Sequence, residues 1–336
     1  MKKSTTSLMQ QVWLKHSNPS MRHLLGLILL FSLSLVEAKE IHPFIKLHTS
    51  GFITDVVLDK TTLYVATDEG TVDLFSLGSN KRIRQIIIPL IHSGRGENIP
   101  PKIISIDRMN HQTLIVSISE DNFRNVWIEE DGKLTKLFGK ARKTLVKEAY
   151  FLDKNHIVFG TFDSDIILYN ITEGYNTYQK QHSQSTLTDI IISADKKSMV
   201  VADESGRLKR YEVRSGKLLE EYKTQHVDKV YSVAYANGVL VSGAEDRRVG
   251  VYVEAQKPYH FKTSFLVYAV GVSPSGRQGL YSDGEAQVLQ LFDTKTKEKG
   301  NTLVGHKEIV QKILFVGEKA VISIGARQEL FLWRLE

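Results

Sequence analysis

Short apolar runs alternate with polar turns along most of this chain, and the runs recur. Their clearest markers are aromatic: Phe75, Trp127, Tyr169, Tyr211, Tyr252, Phe292 and Trp333, inside VDLF, NVWI, IILY, KRYEV, VGVY, LQLF and LFLW. The intervals are 52, 42, 42, 41, 40 and 41 residues, so only the first is stretched. Upstream of each aromatic a second apolar run ends near a small residue and gives way to a polar turn, as in LYVATDEG, LIVSISEDN, MVVADESG and LVSGAEDR. Brief apolar runs bounded by turn residues are the pattern of strands. Several strands in each period of about 40–45 residues are the pattern of propeller blades. One sheet per repeat cannot bury both its faces, so the blades must stack around an axis. Seven repeats predict an all-β, seven-bladed β-propeller.

Each repeat divides into an inner strand, two middle strands and an outer strand. The first reads ITDVVL, LYVAT and VDLFSL, with turns at Asp59-Lys60-Thr61 and Asp68-Glu69-Gly70 that tolerate hairpin backbone angles. The seventh, VQKILFV, AVISIG and LFLWRL, reaches the end of the sequence without an outer strand of its own. Residues 40–47 (EIHPFIKL) precede the first inner strand and have no other blade to join. Pairing them with the last blade closes the ring and removes two sheet edges that would invite aggregation. Pro43 is tolerated there because an outer strand leaves one edge unpaired.

The first 38 residues are of another kind. Residues 24–36 (LLGLILLFSLSLV) form an apolar run of 13 behind Arg22 and His23, and Val36-Glu37-Ala38 sets small residues before Lys39. This is the pattern of a cleavable secretory signal. A spanning helix needs roughly 20 apolar residues, so no stable membrane insertion is expected after cleavage. Met21 begins a signal of conventional length, which makes it the simpler start; residues 39–336 then form the exported propeller.

Composition narrows the function. The formal charge is +6, but Lys2, Lys3, Lys15 and Arg22 against Glu37 carry half of it, leaving about +3 on residues 39–336. Basic residues are scattered through turns rather than clustered as a phosphate footprint, so nucleic acid is not expected as a partner. There is no cysteine. That excludes disulfides, a lipidated cysteine, Cys-x-x-Cys-His haem attachment and iron–sulfur ligation. An exported protein without disulfides must hold together by packing, and a bacterial periplasm is the expected location.

The repeats resemble WD40 repeats in degenerate form. Gly305-His306 opens the seventh and Trp333 closes it; His48 and His226 stand at similar distances before Phe75 and Tyr252, and Phe292-Asp293 is the nearest approach to the family's terminal dipeptide. The resemblance implies a structural network of histidine, turn aspartate, serine or threonine and aromatic residue, kept in part by His226, Ser232, Asp246 and Tyr252. The histidines then read as structural. No two have a metal-ligand spacing such as H-x₃₋₅-H, and no metal or cofactor is expected. Residues 93–97 (SGRGE) match no phosphate loop, there is no G-x-S-x-G elbow, and Asp163-Ser164-Asp165 lacks the glycine and distal glutamate of a calcium loop.

What remains is a surface for partners. The stretched interval places residues 92–102 (HSGRGENIPPK) on the rim that bears the turns between the two middle strands. Extended loops on regular scaffolds are disproportionately functional. Arg95, Glu97 and Asn98 are its candidate contacts, and Glu120, Asp121, Asp163, Asp203 and Glu245 fall in acidic turns of the same rim. Solvated turn residues are the simpler reading of any one of them.

Four stretches, TDVVLDKTTLYVATDEGTVDLF, KIISID, LVYAVGVSPSGRQGLYSD and KEIVQKILFVGEKAVISIG, resemble NapL-type accessory proteins of the periplasmic nitrate reductase system. The resemblance spans residues 40–336. It implies a non-catalytic periplasmic helper that supports maturation or activity of the reductase by docking one of its components or an assembly intermediate. It carries no catalytic residues over, and a monomer is expected. The alternatives are another periplasmic propeller scaffold, or a metal- or quinone-dependent propeller enzyme. For an enzyme, Asp55, Asp107, Glu148 and Asp189 on the early inner strands are the carboxylates that would converge on the channel; blade-to-blade hydrogen bonding is their other reading.

Overall fold

In the computed structural model residues 38–94 and 96–335 are described, and residues 39–336 form one compact unit. The signal-like segment lies outside the described residues but for Ala38. The chain folds as seven four-stranded antiparallel blades. Blade 1 runs Ile53–Asp59, Thr62–Thr67, Thr71–Ser76 and Lys81–Ile87 from the inner strand outward. Blade 2 follows with Ile103–Met109, Gln112–Ile118, Arg124–Glu130 and Lys133–Phe138, and blade 3 with Val146–Asp153, His156–Thr161, Asp165–Asn170 and Tyr175–Gln181. Blades 4, 5 and 6 begin at inner strands Leu187–Ile192, Val230–Ala236 and Val270–Val272. Blade 7 has Val310–Val316, Ala320–Gly325 and Glu329–Arg334.

The closing strand is present, in two pieces. Ile45–His48 pairs antiparallel with Glu329–Arg334 and supplies the outer strand that blade 7 lacks. Glu40–Ile41 instead lies parallel to Lys299–Leu303, the outer strand of blade 6. Pro43, which has no N–H to offer a ladder, divides the two. The start of the propeller thus spans two blades, and Ile41 and Leu47 are buried by it.

The periodic aromatics pack between blades. Phe75, Trp127, Tyr169, Tyr211, Tyr252, Phe292 and Trp333 are all buried. They join clusters with apolar residues of their own blade and of a neighbour, as Trp127 does with Tyr64, Leu74, Ile86 and Ile88 of blade 1. Because one aromatic per repeat fills one blade-to-blade space, the sequence period and the packing period coincide.

The inner strands share a further device. In blades 1, 2, 3, 4, 5 and 7 the ladder between the inner strand and its neighbour slips by one residue at the same place. Such a bulge re-aims the side chain beside it. The residues behind the slip are Asp55, Ser105, Glu148, Asp189, Ser232 and Lys312. Four of them accept a backbone N–H of the next blade: Asp55 Oδ2 from Ile106 N at 2.8 Å, Ser105 Oγ from Ala149 N at 3.3 Å, Asp189 Oδ2 from Val233 N at 2.6 Å and Ser232 Oγ from Val270 N at 3.4 Å. Asp107, two residues beyond Ser105, accepts from Phe151 N at 2.7 Å.

Candidate docking rim and central channel

An antiparallel meander puts alternate connections at opposite ends of the sheet. The turns between the middle strands therefore share one rim with the blade-to-blade connections. On that rim the long connection between blades 1 and 2 is a small hairpin. The outer strand of blade 1 stops at Ile87, shortly before Pro89, which cannot continue the ladder. Ile91–His92 then pairs with Asn98–Ile99, and Ser93 N donates to the Glu97 carbonyl at 2.7 Å across the tip. Pro101 anchors the return: a Cβ at Gly70, whose φ is +68°, would lie 3.0 Å from the proline Cδ. Glycine there meets both the left-handed backbone and the close approach.

The expected contact residues divide into four groups. Glu97 and Asn98 are exposed on the hairpin, and Glu120 and Asp121 are exposed on the neighbouring turn of blade 2. These four belong to one surface, since the backbone of His92 in the hairpin hydrogen-bonds Glu120. Lys140 Nζ lies 2.7 Å from Glu120 and 3.6 Å from Asp121, and this ammonium holds the Glu120 carboxyl below its usual range. Asp163 and Glu245 are exposed on the turns of blades 3 and 5, away from the hairpin, with Glu245 bonded to the Tyr231 hydroxyl. Arg95 lies outside the described residues.

Asp203 does not belong to the docking surface. It is buried, and its Oδ1 accepts from Ser205 N, Ser205 Oγ and Arg207 N at 2.9, 2.7 and 3.1 Å. Burial works against its ionisation, but hydrogen bonds from His182, Ser205 and Ser183 outweigh that and hold the carboxyl well below the ordinary range. In the sequence it looks like the other turn acids. His182, with Nε2 at 3.4 Å, makes it a member of the structural network instead.

The network of blade 5 is also corrected in one member. His226 Nδ1 meets Asp246 at 3.2 Å and its Nε2 meets Ser242 Oγ at 2.7 Å, whereas Ser232 is on the inner strand and bonds blade 6. Ser242 pairs across the sheet with Gly250, whose missing side chain makes room: a Cβ there would stand 2.9 Å from His226 Nε2. Blade 7 repeats the arrangement, with Ser323 Oγ 2.6 Å from His306 Nε2 and accepting from Trp333 Nε1 at 2.7 Å. The buried His306 ring is pushed down to about 4, by burial first and by Lys46 second.

Residues that sequence reasoning missed also stand on this rim. Phe52 of blade 1, Phe162 of blade 3, Val227 of blade 5 and Ile309 of blade 7 are 53%, 36%, 74% and 39% exposed. Phe52 and Ile309 hold equivalent places, each carbonyl accepting the N–H that opens the middle-strand turn, from Asp68 or Ala326. An apolar residue immediately before a buried inner strand merges with the strand's own pattern, so only the fold separates it. Arg124 and Lys147 lie over the Phe162 ring at 5.6 and 5.5 Å.

The channel inside the ring has a volume of about 1040 Å³ and is lined in part by Asp55, Glu148, Asp189, Tyr150 and Lys312. Its charged groups are engaged with one another and with neighbouring blades. Lys312 Nζ lies 2.6 Å from Asp55, and Tyr150 Oη donates to Glu148 at 2.7 Å. Burial, and then the Glu148 charge, raise Asp189 well above the usual carboxylate range. Burial would depress the Lys312 ammonium, but Asp55 and the carboxylates behind it hold it above the ordinary lysine value. Among the described residues no three His, Asp or Glu side chains gather as a metal-ligand set.

No protein-family model matches the chain, and no curated protein matches it. Among solved structures it is similar to the β-propeller domain of Cps50 (Swd1) from Myceliophteria thermophila, with 16% identity over 88% of this chain and 99% of that one and a TM-score of 0.69. The chain is an all-β, seven-bladed β-propeller whose fold resembles a WD40-type propeller. At that identity the likeness carries the fold and no family membership. Propellers of this kind are typical protein-interaction scaffolds.

Proposed function

We propose that the chain is a non-catalytic accessory scaffold that docks a partner protein on the rim bearing the inserted hairpin. Following its resemblance to NapL-type proteins, the partner is a component or assembly intermediate of the periplasmic nitrate reductase, and the scaffold works in the periplasm as a monomer. One observation supports the docking reading above all: three of the four carboxylates that an enzyme of this architecture would use in its channel are engaged in bonds from blade to blade, Glu148 being the exception. Asp55, Asp107 and Asp189 each accept a backbone N–H of the following blade. Exposed apolar and polar groups, among them Phe52, Phe162, Glu97 and Asn98, stand on the rim. Such a mixture beside a projecting hairpin suits association with another protein.

Co-purification from a native host grown on nitrate tests the reading. Reductase components should be recovered with the tagged propeller, and a deletion strain should lose reductase activity. Recovery of none of them, together with unchanged activity in the deletion strain, would refute it.

A further inference from the structure

Blade 2 lacks the histidine of the structural network, and a cavity of about 290 Å³ opens where that ring would sit. Its place follows from register. In blade 7, Val321 pairs with Trp333 and Ser323 with Phe331; in blade 2, Ile115 pairs with Trp127 and Ser117 with Asn125. Trp127 also repeats the bond of Trp333, donating its indole N–H to Ser117 Oγ at 3.0 Å. Ser119, Asn125 and Trp127 are therefore the counterparts of Gly325, Phe331 and Trp333. Those three surround His306: its ring lies 4.5 Å from Phe331 and 6.0 Å from Trp333 between centroids, and a Cβ at Gly325 would meet Nδ1 at 3.3 Å. In blade 2 the same three positions line the cavity.

The wall is polar, and one of its buried hydroxyls is unsatisfied. Ser119 is 2% exposed, and its hydroxyl has no hydrogen-bond partner among the described residues. Asn125, 5% exposed, lines the same cavity with its polar side chain. Leaving a buried polar group without a partner is costly, and a ligand that bonds it recovers that cost. Lys136 stands 4.5 Å over the Trp127 ring at the edge of the cavity; Glu120 and Lys140, which also line it, are paired with each other, so the remaining cation disfavours a positively charged occupant. Gly139 lies against Asn125: a Cβ there would fall 2.6 Å from Asn125 Oδ1 and force that side chain to shift.

We propose that this cavity binds a neutral, planar nitrogen heterocycle of imidazole size, held by Ser119 and Asn125 against the Trp127 indole. The occupant takes the place that His226 and His306 fill in their own blades. It comes either as a free small molecule or as a histidine side chain presented by a docked protein, and both sources share this chemistry.

The probes are 4-methylimidazole and a blocked Gly-His-Gly peptide, read by the indole N–H resonance of Trp127 in the chain from residue 39 onward, with Trp127→Phe for assignment. The heterocycle should shift that resonance saturably and leave Trp333 unmoved. Ser119→Leu, which fills the cavity, and Gly139→Ala, which displaces the Asn125 side chain, should each weaken binding at least tenfold while the Trp333 resonance reports an intact fold. If Ser119→Leu fails to fold, Gly139→Ala carries the test. Binding of the peptide as well as the free ring assigns the occupant to a partner's histidine; binding of the free ring alone assigns it to a small molecule. No shift at Trp127, an equal shift with toluene, or a shift that survives both variants overturns the proposal.

Discussion

Lys312 Nζ lies 2.6 Å from Asp55 Oδ1, and this ion pair joins the inner strand of the last blade to that of the first. Asp55 also accepts Val56 N and Ile106 N, both at 2.8 Å, so one carboxylate binds three blades together. The two partners stand 257 positions apart in the sequence, at the seam where the ring closes.

Removing the lysine should therefore weaken the closure. Lys312→Met leaves Asp55 buried with its two N–H donors but no cation. Breaking a fully buried pair costs about 3–5 kcal/mol; Lys312 keeps partial access to the channel, so a loss of ~1–3 kcal/mol is expected after screening. Asp55→Asn in the same background should recover part of it. Denaturant melts of the two single variants and the double variant read the coupling, and additive losses would show that the pair contributes nothing beyond its members.

His306 should make the fold acid-sensitive. Its folded value of about 4 lies below the ordinary histidine value of 6.5, so the unfolded chain takes up a proton that the native ring refuses. The stability it contributes is present above pH 6.5 and is lost as the pH falls toward 4. The loss is bounded by ~3 kcal/mol. His306→Gln should melt lower at pH 7, having lost the fit to Ser323, yet show a flatter decline between pH 7 and 4.5. An unchanged slope would place the acid sensitivity elsewhere.

Asp107 works in the opposite sense over an overlapping window. Burial raises its carboxyl from 3.8 to about 6, partly countered by the Phe151 N–H, so the native state holds this proton more tightly than the unfolded chain. Its stabilising contribution is complete below about pH 4 and is lost as the pH rises through about 6. Asp107→Asn, neutral throughout, should gain stability relative to the parent as the pH is taken from 4 to 7, by up to ~3 kcal/mol. Melting temperatures of the pair across that range give the difference directly.

The architecture is legible in the sequence because its cause is local and repeated. Phe75 to Trp333 mark one blade-to-blade space each, and burial of one large ring per blade forces the same residue type at the same interval. The missing outer strand follows from the count of strands. Its division at Pro43 between two blades does not, since the parallel pairing of Glu40–Ile41 depends on a partner at the far end of the chain. Site residues are less legible. Asp203 and Asp163 look alike in the sequence, but register separates them: Asp203 still pairs with Leu187 at the end of its strand, as Thr161 does with Val146, and Asp163 lies two residues further out in the turn. Ser232 and Ser242 both lie close to His226 along the chain; strand pairing selects the second. Phe52 and Ile309 stay hidden because exposure at the end of an apolar run has no sequence mark.

The closing strand should be needed for solubility as well as stability. Deleting residues 39–48 uncovers the edge of Glu329–Arg334 and forfeits the burial of Ile41 and Leu47. Two such side chains are worth about 4 kcal/mol together, and an unprotected edge recruits other chains. The truncated propeller should melt well below the parent and elute as larger species in size-exclusion chromatography. A monomer of unchanged stability would mean that blade 7 stands without its fourth strand.

The inserted hairpin offers the sharpest separation of folding from docking. Its strands Ile91–His92 and Asn98–Ile99 pair only with each other among the described residues, so their removal breaks no blade ladder. Ile88, which is buried and continues the outer edge of blade 1 by donating to Gly70 O at 2.9 Å, and Pro101, packed on Gly70, mark the limits that must stay. Replacing residues 92–98 by a two-residue Gly-Gly turn should therefore change the melting temperature little, because surface substitutions away from buried groups usually fall within about 0.5 kcal/mol. Docking should suffer far more: the excision removes Glu97 and Asn98 and the His92 contact that positions Glu120. Pull-down of reductase components with this variant should fall at least tenfold against the parent, while Asp203→Asn, altered at a buried position, should lose stability and leave partner capture intact below its melting temperature. Equal capture by the hairpin variant and the parent would move the docking surface away from this part of the rim, toward Phe162 and Val227.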